Sequence, residues 1–234
     1  MSPDSTIFWQ WGPISLNATI VFTWVVMAVL VVGSWLITRR LSVDDHVSRR
    51  QNLLETLVTF MNDQIRATSR QEPGLFLPFV GTLFLFIAVS NSLEIFPGFE
   101  PPTGSLSTTA ALAICVFIAV PFFGILQKGV SGYLKHYIKP SVFMLPFEVI
   151  GEFSRTLALA VRLYGNIMSG TIIVGILLSI APLFFPIIME VLGLLIGLIQ
   201  AYIFAVLAMV YIASATSVQK GPESAHAKED KGGK

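Results

Sequence analysis

With one cysteine, Cys115, the chain has no internal disulfide to hold it together. Charge is nearly as scarce. Asp, Glu, Lys and Arg make up 12% of the 234 residues, against 54% hydrophobic ones. So few charges do not cover a soluble surface of this size, so the solvent around most of the chain is lipid. The three histidines, His46, His136 and His226, all lie outside the long apolar runs, which excludes a histidine proton relay through them. A P-loop, a metal-ligand cluster, a nucleophile elbow and a dinucleotide fingerprint are also missing. The chain is therefore expected not to be catalytic alone, to need no cofactor or metal, and to bind no nucleic acid. The opening residues carry no positive n-region, so no cleaved signal peptide is expected.

What is present is a set of five apolar runs, about 20–38, 74–95, 106–127, 145–181 and 187–216, each long enough to span, and only 145–181 carries more than one charge. An amphipathic stretch at 42–71 places Leu53, Leu54, Leu57, Val58 and Phe60 among charged residues. It reads as a helix on the membrane surface or against a partner, with a solvated connector as the alternative. The fold class is thus an all-α membrane protein of five transmembrane helices plus a surface amphipathic helix. Residues 1–19 read as an extracytoplasmic lead-in with Trp9 and Trp11 at an interface, 20–217 as one membrane domain, and 218–234 as a disordered cytoplasmic tail. The segment after Asn91 reads as a Pro/Gly-rich turn, and 128–140, basic and broken by Gly and Pro, as a surface loop.

Basic residues set the orientation. With the N-terminus outside and the C-terminus in the cytoplasm, 13 of the 15 Lys and Arg residues fall inside, and the other two are Arg155 and Arg162 on the fourth run.

The last two runs are too long to stand upright. Residues 147–181 contain no proline and permit a helix of about 52 Å, against about 30 Å of hydrocarbon. The 187–216 run is similar, so the two read as a strongly tilted antiparallel hairpin. The fourth run also carries a stripe of ionisable groups. Glu148, Arg155, Arg162 and Ser169 recur every seven residues, which returns them to nearly one helix face. Glu152, Leu159 and Asn166 run alongside. Arg162 is the deepest charge, at a cost of about 2.5–3.5 kcal/mol at a bilayer centre. Such a residue is a functional candidate; the alternative is a packing partner for a carboxylate on another helix.

The flanking residues, RLYGNIMSG around Arg162 and IQAYIFAVLAMVYIA from Ile199 onward, resemble the signature of subunit a of F-type ATP synthases over roughly 17–215. That resemblance implies the ion-translocating stator of the membrane motor. Arg162 is then the arginine that faces a rotor ring of c subunits, and Gln200 its neighbour on the following helix. It implies further partners in b-type peripheral stalk subunits and, through the complex, the F1 sector, in a bacterial plasma membrane. Two half-channels are expected to lead ions to the arginine. Glu148, which matches a family acid, stands with Glu152 and Arg155 as cytoplasmic candidates, with an interfacial ion-pair cluster as the alternative. Asn91, Glu94, Asn166, Thr171 and Glu190 are the outer candidates. Thr171 and Gly193 stand where many members have an acid or histidine, and Glu190 lies one turn from Gly193. The ion is H⁺ by preference, with Na⁺ as the alternative. A self-contained secondary transporter is the rival class, but the inverted repeats expected of one are not seen.

Overall fold

A computed structural model describes residues 7–11, 14–39, 49–69, 73–96, 98–138, 144–180 and 185–216. The tail 218–234 and the segment around His46 lie outside the described residues. Two short strands, β1 (Ile7–Trp11) and β2 (Ile14–Asn17), pair as an antiparallel hairpin ahead of the first helix, with Trp11 opposite Ile14 and Trp9 opposite Leu16. Aromatic and β-branched residues suit such a pairing. The long elements described after it are all α-helices: α1 (Ala18–Thr38), α2 (Arg49–Ser69), α3 (Leu77–Ser92), α4 (Leu106–Ile138), α5 (Met144–Ile180) and α6 (Phe185–Thr216). Among the described residues, five of these helices are long and apolar enough to cross a membrane; α2 is not one of them. The molecule is an all-α membrane protein with a small hairpin at its start.

Proline and glycine set the helix limits. Pro78 and Pro186 sit in the first turns of α3 and α6, where a missing N–H costs nothing. Helix α5 is described to Ile180, two residues before Pro182 in the sequence. One expectation fails here. Residues 128–138 of the expected loop are helical: α4 breaks at Gly129 (φ 71°, ψ 161°), then resumes helical form to Ile138, and 139–140 lie outside the described residues. Only glycine adopts that φ without strain, so the residue that suggests a loop serves as a kink. Beside it, the Lys128 Nζ donates to the Ala215 carbonyl at 2.8 Å, capping the end of α6 with a cation where the helix dipole is negative.

The core lies where α3 packs along α6, and α4 along α5 and α6. Val80, Leu83 and Ile87 of α3, Val116 and Val120 of α4, and Leu159 and Leu163 of α5 are buried together with Phe204, Met209 and Ile212 of α6. The buried half of α6 is rich in alanine (Ala201, Ala205, Ala208, Ala213, Ala215), which lets neighbouring backbones approach closely. Helix α2 docks on this core through buried Met61 and Ile65, and the Tyr202 hydroxyl donates to Gln64 Oε1 at 2.8 Å. Helix α2 thus has one face against its own chain, while Asn52, Glu55, Val58, Phe60, Asp63 and Arg66 are exposed. At 37 and 32 residues, α5 and α6 extend about 55 Å and 48 Å.

Between α3 and α4 the chain passes through a 3₁₀ turn at Leu93–Ile95 and a second at Pro102–Gly104. Residues Pro101 to Ser105 are all buried. The Pro/Gly-rich segment is a turn, as expected, and its second 3₁₀ turn is folded into the bundle, touching α1, α3, α4 and α5. Its backbone is satisfied locally, Gly104 N–H bonding to the Pro101 carbonyl and Ser105 N–H to that of Pro102.

Candidate functional site

Helix α5 presents two different faces. Leu159 and Leu163 are buried at 1% and 0% exposure, while Arg155, Arg162 and Ser169 are exposed. A seven-residue recurrence on a 3.6-residue helix puts the three on one outward side. Helix α5 also exposes Leu157, Val161, Ile172 and Ile176, and the first half of α6 exposes Val191, Leu195 and Ile199. The arginine thus stands in a broad apolar surface. The parallel stripe turns inward: Glu152 and Asn166 are half-buried and Leu159 is buried. The side chain of Glu148 lies outside the described residues. The Arg155 guanidinium carbon lies 5.8 Å from the centre of the Tyr211 ring of α6, within reach of a cation–π contact.

A cavity of about 340 Å³ opens between the end of α3, the segment after it, α5 and α6. Asn91, Glu94, Asn166, Thr171 and Glu190, separated by up to 99 residues in sequence, all line it. It does not include Arg162, Gln200, Glu152 or Arg155. Arg162 is one helical turn from Asn166, on the outward side of that wall. Glu190 is exposed and Glu94, on its 3₁₀ turn, is half-buried. The Thr171 hydroxyl donates to its own helix, to the Ile167 carbonyl at 3.0 Å. Gln200 is 5% exposed, and its Nε2 has no hydrogen-bond partner among the described residues. No hydrogen bond joins it to Arg162 among those residues; Gln200 is buried and Arg162 exposed.

Sequence reading missed Thr103 and Ser90. The Thr103 hydroxyl donates to Asn91 Oδ1 at 2.7 Å and lies 3.5 Å from Ser90 Oγ. The available signal was a hydroxyl in a Pro/Gly segment joining two apolar runs, which fits an exposed turn equally well.

Gly193 and Gly197 share a face of α6 but do different things. A Cβ on Gly193 would meet nothing within 4 Å, whereas one on Gly197 would stand 2.9 Å from Asn91 Cβ. Gly197→Ala should therefore push α3 and α6 apart at a cost of about 1–3 kcal/mol, and Gly193→Ala should change little. Thermal unfolding of the purified complex and ATP-driven pumping check both. Equal effects from the two alanines would contradict the close approach at Gly197.

A polytopic helical bundle with a guanidinium on an exposed apolar face, beside a carboxylate-lined cavity, belongs to the class of membrane proteins that move ions. A family model for the ATP synthase A chain matches residues 20–213. The chain is 64% identical over 220 residues to ATP synthase subunit a 2 of Acaryochloris marina (strain MBIC 11017), covering 94% of each. It is 61% identical over 220 residues to ATP synthase subunit a of Albidiferax ferrireducens (strain ATCC BAA-621 / DSM 15236 / T118), covering 94% of this chain and 95% of that one. It is 56% identical over 233 residues to ATP synthase subunit a of Nitrosospira multiformis (strain ATCC 25196 / NCIMB 11849 / C 71), covering 100% of this chain and 92% of that one. The chain belongs to the ATP synthase A chain family. It is a multi-pass membrane subunit of the ATP synthase complex with the ion-translocating stator role of the Fo sector, and the secondary-transporter reading is not favoured.

Proposed function

We propose that the exposed α5 face carrying Arg162 meets the rotor's c-subunit ring, and that the cavity beside it is the outer half-channel. The observation that supports this most is the arrangement itself. Arg162 stands on the surface one turn from Asn166, and Asn166 shares a cavity with Glu94 and Glu190. A rotor carboxylate in hydrocarbon stays protonated, because burial disfavours its charged form. Opposite Arg162 the ionised form becomes favourable, by about 4 kcal/mol for a pair 4 Å apart at an effective dielectric near 20. A fully dry contact would be several times stronger and would stall rotation, so polar groups must weaken it. Asn166 and Gln200 supply them. Glu94 and Glu190, with Thr171 and the cavity wall at Asn91, carry ions from the outer side; Glu148, with Glu152 and Arg155, serves the cytoplasmic side.

The positive-inside distribution supports an N-terminus outside and a C-terminus in the cytoplasm of a bacterial plasma membrane. Helices far longer than the hydrocarbon is thick support a steeply inclined α5–α6 hairpin. Peripheral stalk subunits of b type hold the chain still, and nucleotide chemistry belongs to the F1 sector. The chain alone catalyses nothing, and the coupling ion is H⁺, with Na⁺ as the alternative. Reconstitution tests this reading. Vesicles holding the whole complex should make ATP under an imposed ion gradient, while the purified chain alone should neither hydrolyse ATP nor accumulate solute. Solute uptake by the chain alone would restore the transporter reading.

A further inference from the structure

Asn91 is 1% exposed, and both ends of its amide are engaged. Its Nδ2 donates to the Gly197 carbonyl of α6 at 2.9 Å, and its Oδ1 accepts from the Thr103 hydroxyl at 2.7 Å. The Gly197 carbonyl lies inside a helix, where it already serves the α6 ladder; Asn91 takes its second lone pair. No side chain fits between them, since a Cβ on Gly197 would come within 2.9–3.2 Å of three Asn91 atoms. Gly104, next to Thr103, reaches the opposite helix: a Cβ there would stand 3.2 Å from Ile167 Cγ2 of α5. Four segments meet around one amide: α3, the buried loop, α5 and α6.

This junction stands at a boundary. Asn91 and Gly197 are in the cavity wall. One turn further along α6, Ala201 is 0% and Gln200 5% exposed, and the apolar core of Phe204 and Ala205 follows. An amide releases no proton and carries no charge at any ordinary pH, so Asn91 is chemically unlike its neighbours Glu94 and Glu190. What a buried, doubly bonded amide does well is fix one geometry, because breaking either bond strands a polar group.

Resting on the reading of the cavity as a half-channel, we propose that Asn91 is a positioning residue. By clamping the Gly197 carbonyl and the Thr103 hydroxyl, it closes the bundle side of the cavity and turns ions toward the α5–α6 face that bears Arg162. The loop Pro101 to Ser105 is the wedge that holds the clamp shut. A leak past this junction would carry water into the apolar core around Ala201 and Phe204 instead of toward the rotor.

Thiol accessibility tests the clamp in the whole complex, in oriented vesicles with Cys115→Ser as background. A membrane-impermeant quaternary-ammonium thiosulfonate is added from each side. Gly193→Cys, in the open cavity, should react from one side in every background. Ala201→Cys, one turn beyond the clamp, should be protected when Asn91 is present. From that same side it should react about tenfold faster with Asn91→Ala, the population change that one or two lost hydrogen bonds produce. Thr103→Val should open the clamp likewise and serves if Asn91→Ala fails to assemble, whereas Thr103→Ser, which keeps the hydroxyl, should leave it shut. Ala201→Cys reacting equally fast with Asn91 intact, or staying protected in both Asn91→Ala and Thr103→Val, would overturn the proposal. Gly193→Cys reacting from neither side removes the half-channel reading itself, and the clamp's role with it.

Discussion

Arg162→Ala should abolish ATP synthesis and ATP-driven pumping while leaving the complex assembled. The side chain is exposed on an apolar face and is not part of the buried core, so its removal leaves no cavity inside the bundle. What it removes is the fixed positive charge that makes a passing rotor carboxylate ionise. The same charge keeps cations from crossing directly between the half-channels, since like charges in a low-dielectric gap repel strongly. Passive ion leakage through Arg162→Ala complexes is therefore expected, measured as decay of an imposed gradient without ATP formation. Arg162→Lys should fail as well, because an ammonium in an apolar contact loses its proton more readily than a guanidinium. Gln200→Leu should be milder; it removes polarity and leaves the charge. ATP synthesis at the normal rate in Arg162→Ala vesicles would leave the account without its centre.

The second large effect is expected in the cavity. Glu190→Ala should slow gradient-driven ATP synthesis by about tenfold. That is less than the ~10²-fold or more usual on losing an acid–base group, because Glu94 shares the cavity. Replacing both carboxylates should bring synthesis close to zero, and Glu190→Asp should retain most of it. Co-purification of the other subunits shows whether assembly is intact. A double variant that synthesises ATP normally would remove the cavity from the ion path.

How far the sequence revealed this arrangement depended on the range of the interaction. Spans and the outward stripe of Arg155, Arg162 and Ser169 follow from composition and helical period, which are local, and they were legible directly. Glu94 and Glu190 come from different helices, 96 residues apart; no periodicity joins them, and only the family resemblance suggested one site. Gly and Pro misled where their local meaning was overridden. Gly129 breaks α4 without ending it, because the positive φ serves a kink and Lys128 ties the bend to α6. The stretch Pro101 to Ser105 of the turn after Asn91 is buried because its Thr103 and Gly104 fit Asn91 and Ile167, partners no turn rule contains. Gly197 reads from sequence only as a small residue. That it is small because Asn91 occupies the space of its Cβ is a tertiary fact.

Disulfide cross-linking to the rotor tests most directly whether the Arg162 face is the one the ring passes. Ala158→Cys and Ser169→Cys flank Arg162 on the exposed side of α5, while Leu163→Cys points into the core at 0% exposure. Each is paired with a cysteine placed one turn from the c-subunit carboxylate, in membranes treated with a mild oxidant. The account predicts cross-links from Ala158→Cys and Ser169→Cys that stop ATP synthesis until reduced, and none from Leu163→Cys. Absence of any cross-link from the two exposed positions, with the complex assembled and active, would contradict it.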